Sequence, residues 1–351
     1  MPAGGRRLLR SSGGPKQAML SSNLREADAV AVVHASTPFV SAYRWTGQYG
    51  TKFDDPGTLP AEQGNGVAWS PDGLYIGIAH NTSPRVSIYP WSGTGFGAKV
   101  ADPATVPTGN GQSIAWSPNG VFVGIAHTTS PFVSIYTWTG VFGAKFANPA
   151  TLPGNRGDAI AWSPDGLFVG IGCTATPFVV IYPWSGAGFG TKVDDPATLP
   201  ANACNGIAWS PDGLYVAVSH PTSPFVSVYN WSAGFGAKVD DPATLPAGQG
   251  NWVAWSPDGK YIAVAHDTSP FISVYPWNAG FGTKVANPSS VPSNTGAGCG
   301  WSPDGRFLGV SHGSSPRISV YPWNSGFGTR VADPGTLPPA SAFGIAWRRK
   351  T

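Results

Sequence analysis

The stretch GVAWSPDG, residues 66–73, alternates apolar and small side chains and then breaks on Ser-Pro-Asp-Gly. Alternation with a period of two is the pattern of a half-buried strand, and Pro-Asp-Gly supplies the residues a tight hairpin turn favours. Its tryptophan recurs at Trp69, Trp116, Trp162, Trp209, Trp255, Trp301 and Trp347, at intervals of 46 or 47 residues, so the chain carries seven copies of one unit. A period of that size marks a repeat fold in which each unit must pack on its neighbours.

Beyond the hairpin, LYIGIAH (74–80) reads as a second strand, with β-branched and aromatic residues interleaved with Gly77 and Ala79. NTSP (81–84) turns into a third strand, VSIYPW (86–91). After the glycine-rich SGTGFG, a short fourth strand AKV (98–100) is predicted to end at Asp102-Pro103, where proline stops pairing. Four antiparallel strands in a unit of this length describe a propeller blade. The first recognisable strand, AVAVVH (29–34), matches the second strand of later units, whereas GIAWRRK (344–350) matches the first strand alone. The two fragments predict one blade, closed by the C-terminal strand pairing with the N-terminal one, which removes the exposed edges of an open array. The expected architecture is all-β: a seven-bladed β-propeller of four-stranded antiparallel blades over residues 28–351, with residues 1–27 outside it as a basic Gly/Ser/Arg-rich arm.

The unit resembles a WD-repeat blade over residues 28–351. The Gly-His before the first strand and the Trp-Asp closing the third are absent: the third strand ends in Tyr89-Pro90-Trp91, Tyr136-Thr137-Trp138 or Tyr229-Asn230-Trp231. The family's buried polar network is therefore not carried over, and the resemblance implies a fold without a function. Units built from SPDG, LYVAVSH and TSPFVSVY are also similar to repeats of bacterial and phage-encoded propellers, some of them virion components.

Charged residues make up 11% of the chain, against about a quarter in typical soluble domains. The net charge of +3 is segregated: residues 1–27 carry +4, leaving 16 basic and 17 acidic residues elsewhere. A nearly neutral body argues against nucleic-acid binding. No apolar run resembles a secretory signal or a membrane span, so a virion or cytoplasmic location without membrane insertion is expected. Cys173, Cys204 and Cys299 have no metal-ligand spacing and read as free thiols.

His34, His80, His127, His220, His266 and His312 share one slot at the end of the second strand, with Cys173 in the seventh. Copies spread round a ring cannot converge on a metal, so a structural bond to the adjoining turn is expected. The Asp-Pro steps and the SPDG aspartates read as turn chemistry. Only two glutamates occur, Glu26 and Glu62, and no GxSxG, HExxH or P-loop string is present. A calcium- and carboxylate-based propeller enzyme would need unit-specific Glu, Asp or Asn at strand starts, and the sequence is read as offering few. No catalytic residue, metal or cofactor is therefore expected. Arg156-Gly157-Asp158 spells an integrin-binding tripeptide, read as chance in a glycine-rich loop.

Varied loops on a constant frame suit recognition. One face collects the variable connections, with Glu62, Gln63, Asn81, Arg156, Asp158 and Asp267 as candidate binding residues for a surface receptor or glycan. Repeated aromatics on the other face, among them Trp91, Trp184 and Trp277, are expected to pack between blades. The arm, through Arg6, Arg7, Arg10 and Lys16, is expected to hold the propeller to protein subunits of a larger assembly. The functional expectation is a non-catalytic structural propeller, such as a phage virion component, with a WD-type interaction scaffold or a carbohydrate-binding lectin as alternatives.

Overall fold

The structure of the chain is a computed structural model and describes residues 26–350. They form 24 strands and no helix, arranged as seven antiparallel sheets. No helix among the described residues is long and apolar enough to cross a membrane.

The sheets are the blades of a closed ring. Counting from the blade that holds both chain ends, the inner strands are Ala342–Arg349, Gly64–Trp69, Gly111–Trp116, Gly157–Trp162, Gly206–Trp209, Gly250–Trp255 and Gly296–Trp301. Each contacts the next, and the seventh contacts the first. Blades pack through a small residue on one and an Ile-Ala-Trp run on the next. A Cβ added at Gly77 would fall 2.6 Å from both Ile114 Cδ1 and the Trp116 ring, so the second strand of blade 2 leaves that space to blade 3. The indole N–H reaches back to the preceding blade: Trp162 Nε1 donates to Ala115 O at 3.4 Å and Trp255 Nε1 to Ala208 O at 3.3 Å. Within a unit, the two tryptophans meet edge to face, as in Trp255–Trp277 at 4.9 Å and 89°, a geometry that adds to their area burial.

Four strands per blade hold in only three blades. Tyr49–Lys52, Phe142–Lys145 and Phe235–Lys238 are fourth strands, whereas blades 2, 4, 6 and 7 have three strands plus single bridges such as Trp91–Phe96. The cause is one residue. The three-stranded blades end their third strand in Pro90, Pro183, Pro276 or Pro322, where the others have Arg44, Thr137 or Asn230. Pro90 O accepts from Gly97 N, so the nitrogen on that edge faces the fourth segment, and proline has no N–H to give it. The stretch 98–100 keeps one bond, Val100 N to Ile88 O at 2.9 Å, without forming a strand.

Blade 1 is assembled from both ends as expected. Ala27–His34 pairs with Ala342–Arg349 through Val30–Trp347 and Val32–Ile345, and Trp45 meets Trp347 edge to face at 4.9 Å. The hairpin that joins first and second strands elsewhere is missing here. Arg348 takes the place of its serine, buried, ion-paired with Asp28, and donating from Nε to Gly73 O of blade 2 at 2.8 Å.

Candidate functional site

Six inner strands share an irregularity near their start. Pairing to the second strand skips one residue between Gly64 and Gly66, Gly111 and Ser113, Gly157 and Ala159, Gly250 and Trp252, Gly296 and Gly298, and Ala342 and Gly344. A β-bulge leaves one residue unpaired and re-aims its side chain. The glycine before it is a packing requirement, because a Cβ at Gly64 would lie 2.8 Å from Phe39 O in the turn of the preceding blade.

In ring order from blade 1 this position, bulged in every blade but blade 5, holds Phe343, Asn65, Gln112, Asp158, Asn205, Asn251 and Ala297. All seven line one open cavity of about 370 Å³, together with Arg156, Trp252 and Thr295. A cavity touched by every blade lies on the ring axis, so this is the mouth of the central channel.

The mouth is two-sided. From blade 2 to blade 6 runs a polar arc of three asparagines, a glutamine and an aspartate. Asn65 Nδ2, Asn205 Nδ2 and Asn251 Nδ2 donate to the carbonyls of Gly111, Gly250 and Gly296 in the next blade at 2.8–2.9 Å, which fixes the amides and leaves the oxygens of Asn205 and Asn251 without a protein donor among the described residues. Arg156 lies over the middle of the arc. Its Nε donates to Asp158 Oδ1 at 2.5 Å and its Nη2 to Gln112 Oε1 at 2.9 Å. Burial pushes the Asp158 carboxyl above its ordinary range, and the Arg156 charge opposes that shift. Asp158 is 13% exposed, its partner Arg156 47%. From blade 6 through blade 7 to blade 1, Trp252, Ala297 and Phe343 make the remaining side mostly apolar, with Thr295 beside them.

Of the six loop-face candidates, the structure brings Arg156 and Asp158 together in the cavity. Glu62, Gln63 and Asn81 cluster behind Asn65: Gln63 Nε2 donates to Asn65 Oδ1 at 2.8 Å, Asn65 Nδ2 to Asn81 Oδ1 at 2.8 Å, and Glu62 accepts from Thr82. Asp267 closes its own loop, accepting from Gln249 N at 3.0 Å and Thr268 Oγ1 at 2.9 Å. The arm residues Arg6, Arg7, Arg10 and Lys16 lie outside the described residues. Sequence reasoning passed over Gln112, Asn205, Asn251, Trp252 and Phe343, and held that unit-specific Asp or Asn at strand starts was scarce. Four of these seven equivalent positions are Asp or Asn. The available signal was the one variable residue between two small ones in each unit.

The histidine slot is buried packing. His34 Nε2 meets Ser41 Oγ at 3.1 Å and its Nδ1 meets Ser36 O of the turn at 2.8 Å, and His220 repeats the pattern on Ser227 and Thr222. Burial lowers His34, His80, His127, His266 and His312 from 6.5 to about 4, and lowers His220 as well. The SPDG aspartates close hairpins: Asp72 Oδ1 accepts from Leu74 N at 3.0 Å. The Asp-Pro aspartates pair with Lys52, Lys99, Lys192, Lys238 and Arg330. Cys173, Cys204 and Cys299 are free and buried, and the Cys204 sulfur occupies the space that Gly172 leaves. Among the described residues, no group of three or more His, Cys, Asp or Glu is placed to hold a metal.

No family model matches the sequence, and no curated protein does. Solved structures match the fold. A candidate 6-phosphogluconolactonase of Bacteroides uniformis superposes with a TM-score of 0.70 at 17% identity, covering 92% of this chain and 100% of that one. A second, of Bacteroides fragilis, gives 0.72 at 11%, covering 93% and 99%. The periplasmic gluconolactonase of Pseudomonas aeruginosa gives 0.66 at 14%, covering 91% and 99%. At these identities the likeness is one of fold. The expectation of a non-catalytic virion component, and of a chain that is no enzyme, is corrected by these neighbours, because three propellers matched over nine-tenths of the chain bear the names of lactone-cleaving enzymes.

Proposed function

We propose that the channel mouth hydrolyses small lactones, with Asp158 as general base and Arg156 as the electrophilic partner. The observation that carries this is a half-buried carboxylate with a raised pKa, on a bulge at the axis of the ring, held beside a guanidinium. The names of the superposing propellers supply the substrate class.

The chemistry needs a base, an oxyanion partner and a proton donor for the leaving oxygen. A carboxylate whose pKa is raised is a stronger base, and Asp158 takes a proton from water as the water oxygen attacks the lactone carbonyl. Negative charge gathers on the carbonyl oxygen, where the Arg156 guanidinium donates to it. The ring C–O bond then breaks, the departing alkoxide recovers the proton from Asp158, and the product is the open hydroxy acid. The amides of Asn205 and Asn251 fit the hydroxyl groups of a polyhydroxylated ring. General-base help is typically worth about 10²–10⁴ in rate, and one oxyanion donor about 10²–10³.

The test is hydrolysis of glucono-δ-lactone above its uncatalysed rate. Wild-type turnover is expected, with D158N lowering kcat by at least about 100-fold and R156M by a similar factor, both variants keeping the wild-type melting temperature. The acid limb of the rate profile should lie above the ordinary carboxylate pKa of about 3.9. Turnover unaffected by D158N would remove Asp158 from the reaction, and absence of turnover on any δ- or γ-lactone would end the proposal.

A further inference from the structure

The polar arc accounts for the carbonyl and hydroxyl edge of a ligand and leaves the opposite wall unexplained. The residue after the bulge is Gly66, Ser113, Ala159, Gly206, Gly298 or Gly344 in six blades, and Trp252 in the other. Small residues are imposed there by the approach of the next blade: a Cβ on Gly66 would lie 2.8 Å from Gln112 O, and one on Gly298 2.8 Å from Phe343 O. Trp252 departs from that rule. It packs against the core between blades 4 and 5 and against that between blades 6 and 7, and still lines the channel mouth. The next blade presents Ala297 and Gly298, and Ala297 lines the same mouth. Beyond them, Phe343 fills the bulged position of blade 1, which is polar in five other blades.

Three consecutive blades thus build one apolar wall facing the polar arc, in a ring whose other positions repeat almost unchanged. Repeated tryptophans of this chain serve blade packing, whereas Trp252 and Phe343 occur once each in their slots. A cavity of about 370 Å³ sits at the small end of ligand sites, roughly 300–1,000 Å³, which suits a single ring. Aromatic faces take the C–H face of a ring, and fixed amides and charges take its oxygen edge.

We infer that the mouth selects a closed monocyclic ligand, seated with one C–H face on Trp252 and Phe343 and its oxygen-bearing edge on Arg156, Asp158, Asn205 and Asn251. This specificity rests on the proposed lactone site for the identity of the ring, and its test separates the two. Gluconolactam keeps the ring and resists hydrolysis, and gluconate is the open chain. Both are titrated into the full-length protein by calorimetry, alongside W252G, W252F and F343A. Gluconolactam should bind at least tenfold more tightly than gluconate. W252G, which installs the residue of the flanking blades, and F343A should each weaken lactam binding at least tenfold, and W252F should stay within threefold of wild type. Should W252G fail to fold, F343A decides alone, since Phe343 lies only half-buried at the cavity. Lactam binding that is lost in W252G or F343A while glucono-δ-lactone is not hydrolysed supports the ring wall and sinks the hydrolase. Hydrolysis abolished by D158N, with KM and lactam affinity unchanged in both aromatic variants, sinks the wall alone. Equal binding of lactam and gluconate, or no lactam binding at all, also overturns the inference.

Discussion

Six blades close their first hairpin covalently and one closes it with charge. In blade 2, Ser70 Oγ donates to Asp72 and accepts from Tyr75 N at 2.9 Å, while Gly73 N donates to Ser70 O at 2.8 Å. The same set recurs at Ser117, Ser163, Ser210, Ser256 and Ser302. In blade 1 the chain is interrupted at this point. Arg348 and Asp28 form an ion pair across the gap, Lys350 N donates to Glu26 O at 2.7 Å, and Arg306 reaches Glu26 at 3.0 Å and Asp304 at 2.7 Å. In a chain so poor in charge, the ionic cluster sits where a turn is missing. A turn holds its strands at fixed effective concentration whatever the solvent, whereas an ion pair depends on burial and pH.

The comparison is broken most completely by removing residues 342–351. Blade 1 then loses its inner strand, Val30, Val32 and Trp45 lose their cover, and the inward edge of Ala27–His34 is left unpaired. Loss of the cooperative thermal transition is expected, and a truncated chain melting like wild type would show that closure contributes nothing.

Acid acts on interrupted and continuous blades alike and so sets the background. Five histidines titrate near 4 in the folded chain and near 6.5 when unfolded. Above pH 7 both states are neutral and the groups have no effect. Between about 6.5 and 4 the unfolded chain binds protons that the folded chain refuses, so stability falls with pH, by up to about 3 kcal/mol for each histidine. Urea midpoints measured from pH 7.5 to 4 should decline steeply, and H34Q and H127Q should each flatten the slope equally. A slope changed by H127Q alone would set blade 1 apart in its core as well as its seam.

The smallest effect sharpens the contrast most. R348M leaves the one-third-exposed Asp28 and Gly73 O without their buried partner and should cost about 2–3 kcal/mol, whereas S117A removes the two turn bonds of one hydroxyl and should cost about 1–2 kcal/mol. Equal losses by chemical denaturation would erase the distinction between the two kinds of closure.

The ring, its count of seven and its seam were legible because a tryptophan every 46 or 47 residues cannot be hidden by drift in the loops. The missing fourth strands were visible in principle at Pro90, Pro183, Pro276 and Pro322, but only the pairing geometry shows that these nitrogens face the outer segment. The mouth was less legible. Arg156 and Asp158 stood out as variable, yet strand alternation assigns Asn65 or Asn251 to a blade face, and only the bulge turns such residues toward the axis. Trp252 breaks the pattern of its slot openly, but without the neighbouring blade in view it reads as one more packing tryptophan.

The seam also bears on how such a chain can grow. Because each sequence unit begins with an inner strand that the previous unit's last segment feeds, inserting or deleting a whole unit leaves the same two complementary ends. Among the described residues, nothing at the seam counts to seven. The count is held by the angle between neighbours, which the space at Gly77 and the indole of Trp116 fix, so enlarging that small residue in every copy is the change that would favour a ring of different size.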